Sequence, residues 1–152
     1  MSQIAALLPA ENLLLDLDAG SKASLFDAIG ALFESRHGLS RRLVSDSLLA
    51  REKLGSTGLG QGIAIPHGRI RGLSVAQGAF VRLRSPIPFD APDGKPVALV
   101  FVLLVPEQAT EEHLQLLSEL AQMFSEARFR ENLTAPTDAA GLRAVFEKWE
   151  PA

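Results

Sequence analysis

The sequence predicts an α/β fold in which a mixed β-sheet is flanked by helices on both faces, a three-layer αβα arrangement. Three observations predict it. A nine-residue apolar run, Val97 to Val105, reads as a strand buried on both faces. Ahead of it, two stretches of helical periodicity follow one another with a tight turn between them. Behind it, apolar residues recur at helical spacing nearly to the end of the chain. The full order reads β-α-α-β-β-β-α-α-α, as one domain over residues 1–152.

Asn12 to Leu17 is a short apolar run ended by Asp-Ala-Gly, the pattern of a first strand. Ser21 is placed as an N-cap for a helix carrying Leu25, Ile29, Leu32 and Phe33, and Gly38 as its C-cap. Ser40 caps a second helix with Leu43, Val44, Leu48 and Leu49, ending near Lys53. Four of the eight residues from Gly55 to Gly62 are glycines, which predicts a tight turn with close backbone approach. Ile63 to Pro66 is short and β-like. Ala76 to Arg84 alternates in part, Phe80 and Leu83 against Arg82 and Arg84, which predicts a strand with one exposed face. Pro86, Pro88, Pro92 and Asp93-Gly94 make a turn-rich connection into the buried run. Thr110 with Glu111, Glu112 and His113 opens a helix in which Leu114, Leu117, Leu120, Ala121 and Phe124 share a face, and its acidic first turn suits the helix dipole. A short helix follows over Arg128 to Leu133. Thr137 with Asp138 caps the last one, which buries Leu142, Val145 and Phe146.

Composition narrows the function. The chain has no cysteine, so disulfides, thiolate catalysis and zinc–thiolate or iron–sulfur centres are excluded. A formal charge of −3 gives no positive field for nucleic acid. No apolar run approaches the roughly 20 residues of a membrane span. No basic segment precedes the N-terminal apolar stretch, so no signal peptide is expected, and a soluble cytoplasmic protein is.

The chemistry concentrates between Arg51 and Arg69. Pro66 fixes its own φ and pushes Ile65 extended, while Gly68 permits a turn after the ring. His67 is thereby expected at the end of a strand, as an exposed imidazole with little freedom. Neither nucleotide reading of the glycines survives. The only nearby lysine, Lys53, precedes them, and the segment leads into a strand instead of opening a helix. The expected group in close approach is a phosphoryl. His113, in the first turn of a helix after the central strand, is a second candidate, because sheet edges and helix N-termini favour anions. His37, at a helix end, reads as a surface or satisfied core residue, and Arg69 and Arg71 as a solvated basic edge. A metal-dependent hydrolase built on His67 and His113 lacks a third ligand at suitable spacing.

The stretch Arg51 to Arg69, above all Gly55-Ser56-Thr57 and Gly62-Ile63-Ala64-Ile65-Pro66-His67-Gly68, resembles the IIA domains of the bacterial phosphoenolpyruvate-dependent phosphotransferase system, in the fructose/mannitol/nitrogen-regulatory class. Pro86 to Asp90, Leu103 to Pro106 and His113-Leu114 share the resemblance, which runs from about Leu13 to Trp149 and is nearest to the stand-alone nitrogen-regulatory type. It implies that His67 is the phosphorylated histidine, attacking through Nε2, with its Nδ1 proton held by a partner the sequence does not identify. It implies that His113 and Arg51 stabilise the phosphoryl group, while Ser56 and Thr57 match the motif in a less direct role. The implied donor is a small histidine phosphocarrier protein of HPr or NPr type. No cofactor, metal or nucleotide is implied, and the resemblance implies a phosphotransferase component that forms a phosphohistidine intermediate rather than a small-molecule turnover enzyme. The implied output is regulation of target proteins such as sensor kinases or potassium transporters. Two alternatives stand beside it: a IIA component feeding a fructose- or mannitol-type transporter, and a binding module that is never phosphorylated.

Overall fold

The computed structural model describes residues 3–108 and 111–150. Two 3-10 turns, Ala5–Leu7 and Ala10–Asn12, lead into β1 (Leu13–Leu17), then α1 (Lys22–His37) and α2 (Arg41–Lys53). Five strands follow: β2 (Gly58–Gly60), β3 (Ile63–Ala64), β4 (His67–Ile70), β5 (Gln77–Ile87) and β6 (Val97–Pro106). The chain closes with α3 (Glu111–Ser125), α4 (Ala127–Asn132) and α5 (Ala139–Lys148).

The α/β class and three layers match the sequence expectation. One face of the sheet packs on Leu25, Phe26, Ile29, Phe33, Val44 and Leu48 from α1 and α2. The other packs on α3, α4 and α5, where Phe124 and Phe146 meet Phe80 and Phe101 of the sheet and Phe129 packs edge-on against Phe124 and Phe146. β6 is buried along nearly its whole length, with alternate residues feeding the two clusters. The sheet order is β1-β5-β6-β3-β2, with β4 also on β6. β1 runs parallel to β5, and β5 antiparallel to β6.

The strand count between α2 and α3 is five where the sequence suggested three, and the cause is local. β3 and β4 lie end to end on the same edge of β6, both parallel to it, with Ile63 opposite Leu99 and His67 opposite Leu103. Ile65-Pro66 separates them, and Pro66 has no N–H for a ladder. Its carbonyl still accepts from Leu103 N at 3.0 Å. The glycine segment is also more than a turn, because β2 pairs antiparallel with β3.

Other elements correct the expectation in detail. β5 is not one-faced: Ala79, Phe80 and Val81 are all buried, because Phe80 packs under the C-terminal helices and Ala79 and Val81 under α1 and α2. It also runs on through Pro86 to Ile87. Arg82 is kept at the rim by the carbonyls of Leu133 and Pro136. On α3 the buried row is Leu116, Leu120, Met123 and Phe124, whereas Leu114 and Ala121 face outward. The N-cap of α5 is Asp138, accepting from Gly141 N at 2.8 Å, and not Thr137. Thr110 lies outside the described residues. The caps at Ser21, Gly38 and Ser40 are as expected. Ser21 and Ser24 form a capping box, and Gly38 adopts φ 71°.

The helical hairpin is closed tightly. A Cβ on buried Gly30 would lie 2.5 Å from the Arg41 carbonyl oxygen, so only glycine lets α1 approach the start of α2. Alanine would gain about 1 kcal/mol of helix propensity. Overpacking against backbone costs about 1–3 kcal/mol and should outweigh it. Gly30→Ala is therefore expected to be net destabilised, read as a lower urea midpoint at unchanged m-value; an equal or higher midpoint would contradict this packing.

Candidate functional site

His67 opens β4, at a sheet edge between two helices. Alongside it lies an open cavity of about 590 Å³. Ala50, Arg51 and Leu54 of the α2 end form one wall, and Glu111, His113 and Leu114 of the first turns of α3 form another. The fold therefore brings together His67, His113 and Arg51, which are 62 residues apart at the extremes of the chain segment they span (113 − 51). The position differs from the expected one. His67 begins a strand instead of ending one, and it is half-buried, not exposed.

Gly68 also acts differently from its expected role. The chain does not turn there; it continues along β6, with Gly68 opposite Leu104. A Cβ at this position would press into Ser47 of α2. Ser47 Oγ donates to the Arg69 carbonyl at 3.0 Å, fastening α2 to β4. Glycine here lets the helix that carries Arg51 lie against the strand that carries His67.

The Nδ1 partner of His67 is the Ile65 carbonyl, at 2.9 Å. A carbonyl oxygen only accepts, so Nδ1 carries the proton and Nε2 keeps its lone pair. The extended backbone that Pro66 imposes on Ile65 is what leaves this carbonyl within reach of a ring two residues later. Burial is the main cause that pushes the His67 pKa below 6.5, and the Arg51 charge adds to it. The Ile65 hydrogen bond and the Glu52 charge act in the opposite direction without reversing it. His67 is thus a neutral imidazole at neutral pH.

Arg51 donates from Nη1 to the Gly55 carbonyl at 2.9 Å. This holds the guanidinium at the helix end while its other N–H groups remain for a ligand anion. Ser56 and Thr57 are not among the residues that line the cavity. Ser56 Oγ donates to the Phe89 carbonyl at 2.7 Å, and Gly58 N donates to Ser56 Oγ. Thr57 is buried, and both its N–H and its hydroxyl donate to Glu52 Oε1. The glycines do allow close approach, but to a different group from the one expected. Gly58 faces Ala91 and Gly60 faces Asp93, whose carboxylate also accepts from Gln61 N. They receive the Pro88–Asp93 loop rather than an anion beside His67.

His37 is a satisfied structural residue, as expected. Its Nε2 donates to Asn12 Oδ1 at 2.7 Å, and Asn12 Nδ2 donates to the Gly78 carbonyl. Arg71 stands opposite Glu107 at 3.8 Å on an exposed edge. Sequence reading missed Glu52. This carboxylate is buried beneath the site and paired with Lys22 at 2.7 Å. Its neighbours in sequence, Arg51 and Lys53, give it the look of a solvated helix-end charge. Two leucines were also missed as site features: Leu54 is 85% exposed and Leu114 65%, and both line the cavity. Among the described residues, no group of His, Asp and Glu side chains could hold a metal ion, and no helix is long and apolar enough to cross a membrane.

Comparison with known proteins places the chain in a family. Residues 6–149 match the family described as "Phosphoenolpyruvate-dependent sugar phosphotransferase system, EIIA 2". A "Nitrogen regulatory protein" of Pseudomonas aeruginosa is 44% identical over 149 residues, covering 97% of each chain. The crystal structure of the nitrogen regulatory protein IIA-Ntr from Neisseria meningitidis superposes with a TM-score of 0.89 at 54% identity, covering 95% of this chain and 99% of that one. The IIA mannitol structure from Escherichia coli shares the fold at TM-score 0.74 and 22% identity, over 90% of this chain and 96% of that one. The chain belongs to the EIIA type 2 family of the phosphoenolpyruvate-dependent phosphotransferase system, on its nitrogen-regulatory branch.

Proposed function

We propose that this protein accepts a phosphoryl group on His67 Nε2 from the phosphohistidine of a small carrier protein of HPr or NPr type, and that its phosphorylation state regulates target proteins. The observation that carries the reading is the Nδ1–Ile65 hydrogen bond, which leaves Nε2 unprotonated beside an open cavity.

Phosphoryl transfer demands in-line positioning and charge stabilisation more than covalent work. The Nε2 lone pair forms the new bond to phosphorus. The bond from phosphorus to the donor's ring nitrogen breaks, and its electron pair stays with the donor ring. The His67 ring takes up positive charge, with its Nδ1–H still on the Ile65 carbonyl. Arg51 and His113, on opposite walls of the cavity, are the residues assigned to the phosphoryl oxygens, by charge-assisted hydrogen bonds in the case of Arg51. The exposed faces of Leu54 and Leu114 give the carrier an apolar rim to seat against while the reacting groups meet.

Regulation is favoured over sugar transport by the relatives. The nitrogen regulatory proteins match at 44% and 54% identity over nearly the whole chain, whereas a fructose-specific EIIA component of Haloferax volcanii matches at 44% over only 58% of this chain, and the mannitol-type likeness, at 22%, is one of fold. A phosphoryl group adds about −2 charge to the rim of the cavity, enough to reverse a partner's preference. Sensor kinases and potassium transporters are the target classes to test by pull-down with each phosphorylation state.

Incubation with phosphoenolpyruvate, enzyme I and a carrier should add one phosphoryl mass to the wild-type chain and none to His67→Ala; a mass gain in that variant would end the reading. His113→Ala is expected to accept phosphate yet pass it on more slowly or lose it sooner, measured as the decay of phosphorylated mass with and without an acceptor. Wild-type rates there would remove His113 from the mechanism.

The depressed His67 pKa sets a pH window. A histidine of pKa 6.5 would be half protonated at pH 6.5, so the acceptance rate on lowering the pH to that value should fall by less than half. The unfolded chain gains a proton near pH 6.5 that the folded chain resists. The stability associated with neutral His67 is therefore complete above that pH, and it is lost as the pH falls through the lower folded value. His67→Ala should accordingly lose less stability on acidification than wild type, read from urea midpoints across the same range.

A further inference from the structure

One unbroken chain of contacts leads from Lys22, at the start of α1, to the reacting histidine, and none of the members before His67 lines the cavity. Lys22 Nζ donates to Glu52 Oε2 at 2.7 Å. Glu52 Oε1 accepts from Thr57 N at 3.0 Å and from Thr57 Oγ1. The Thr57 carbonyl accepts from Ile65 N at 3.0 Å, and the Ile65 carbonyl accepts from His67 Nδ1 at 2.9 Å. We infer that Glu52 is a positioning residue that, clamped by Lys22, fixes Thr57 and through it the Ile65 carbonyl, and so holds His67 in its Nδ1–H tautomer. This rests on the phosphoryl-accepting role proposed for His67.

The residues fit this role better than a stabilising one. A carboxylate this buried costs free energy unless it is fully paired, and replacing such a pair with apolar residues is often neutral or favourable for stability. Both oxygens of Glu52 are occupied, one by a cation and one by the loop, so the carboxylate is a rigid two-sided anchor. Lys22 is itself fixed, 3.3 Å from Asp90 Oδ2 and 4.7 Å from the Phe89 ring centre. Its pKa is raised: burial, the largest single cause, works against this, but the contacts with Glu52 and Asp90 together outweigh it. The segment held between Glu52 and Ile65 is short and glycine-rich, with φ of 154° at Gly55, 89° at Gly60 and 80° at Gly62. Such backbone has no rigidity of its own and needs an external tether. Ile65 N–H and C=O belong to the two peptide units flanking one residue, so a shift of Thr57 tilts the acceptor that selects the His67 tautomer. An imidazole released from that carbonyl can place its proton on Nε2, where it blocks attack.

The test uses the full chain and two readouts: the His67 tautomer from long-range proton–nitrogen NMR of the imidazole, and phosphoryl acceptance from intact mass. Glutamine has one acceptor oxygen, so Glu52→Gln satisfies Thr57 or Lys22 but not both. Wild type should show the Nδ1–H tautomer alone. Glu52→Gln should show mixed tautomers and accept phosphate about tenfold more slowly, the scale on which supporting residues act elsewhere. The double variant Lys22→Met/Glu52→Gln, which frees the amide to serve Thr57, should recover much of both. Thr57→Ala, which removes one anchor without stranding a charge, should shift both readouts the same way by less. A lone Nδ1–H tautomer in folded Glu52→Gln, or a double variant no better than the single one, overturns the inference. If Glu52→Gln does not fold, Thr57→Ala decides, and a wild-type tautomer there overturns it. The tautomer is read with no phosphoryl donor present, so failure of the phosphorylation reading remains distinguishable.

Discussion

The hydrogen bond from His67 Nδ1 to the carbonyl of Ile65 is the contact on which the site depends. A neutral imidazole has one proton and two nitrogens, and only one arrangement leaves Nε2 able to attack. Selecting that arrangement with a backbone carbonyl two residues back demands that the intervening peptide units be immobile. Pro66 removes one backbone rotation. Its carbonyl is tied to Leu103, in the most deeply buried strand of the protein. The sheet thus acts as the fixed frame for one ring, and the two helical layers exist around it because β6 has two apolar faces to cover.

Charge is arranged in the same economy. Arg51 and Glu52 are adjacent in sequence but diverge, one toward the cavity and one beneath the site. The first disfavours a proton on His67 and the second favours it, so burial decides the outcome. Arg51 is pinned to Gly55, and Glu52 to Thr57. The glycine-rich loop is therefore held at both of its first turns by the last turn of α2, and the loop's flexibility is spent on geometry rather than on motion. Ser56, donating to Phe89, joins the proline-rich segment to the same assembly.

Much of this was legible in the sequence, for reasons that differ by element. The buried run, the caps at Ser21, Gly38 and Ser40, and the extended Ile65 follow from local rules acting over a few residues. His67, His113 and Arg51 were singled out by motif and resemblance, and the fold gathers them at one cavity. The direction of Gly68 was not legible, because its requirement comes from Ser47 on another element. The same holds for Glu52, whose meaning depends on Lys22, 30 residues away. On α3, periodicity alone could not choose between neighbouring rows of side chains, and Leu114 was assigned to the core when it faces the cavity. β5 was read as half-exposed because charged residues at its far end mimic alternation, while the centre is covered on both sides.

The end-to-end placement of β3 and β4 on β6 has a consequence for how the chain can vary in length. Ile63 and Ala64 and then His67 to Ile70 keep one and the same register on β6, each residue opposite the one 36 positions later, with two residues between the paired stretches. Successive side chains of a strand point to opposite faces, so adding or deleting one residue here would turn His67 away from the cavity and bring Pro66, the added residue or Gly68 into its place. The Ala64–His67 spacing is thus a ruler on which a single-residue step is not allowed.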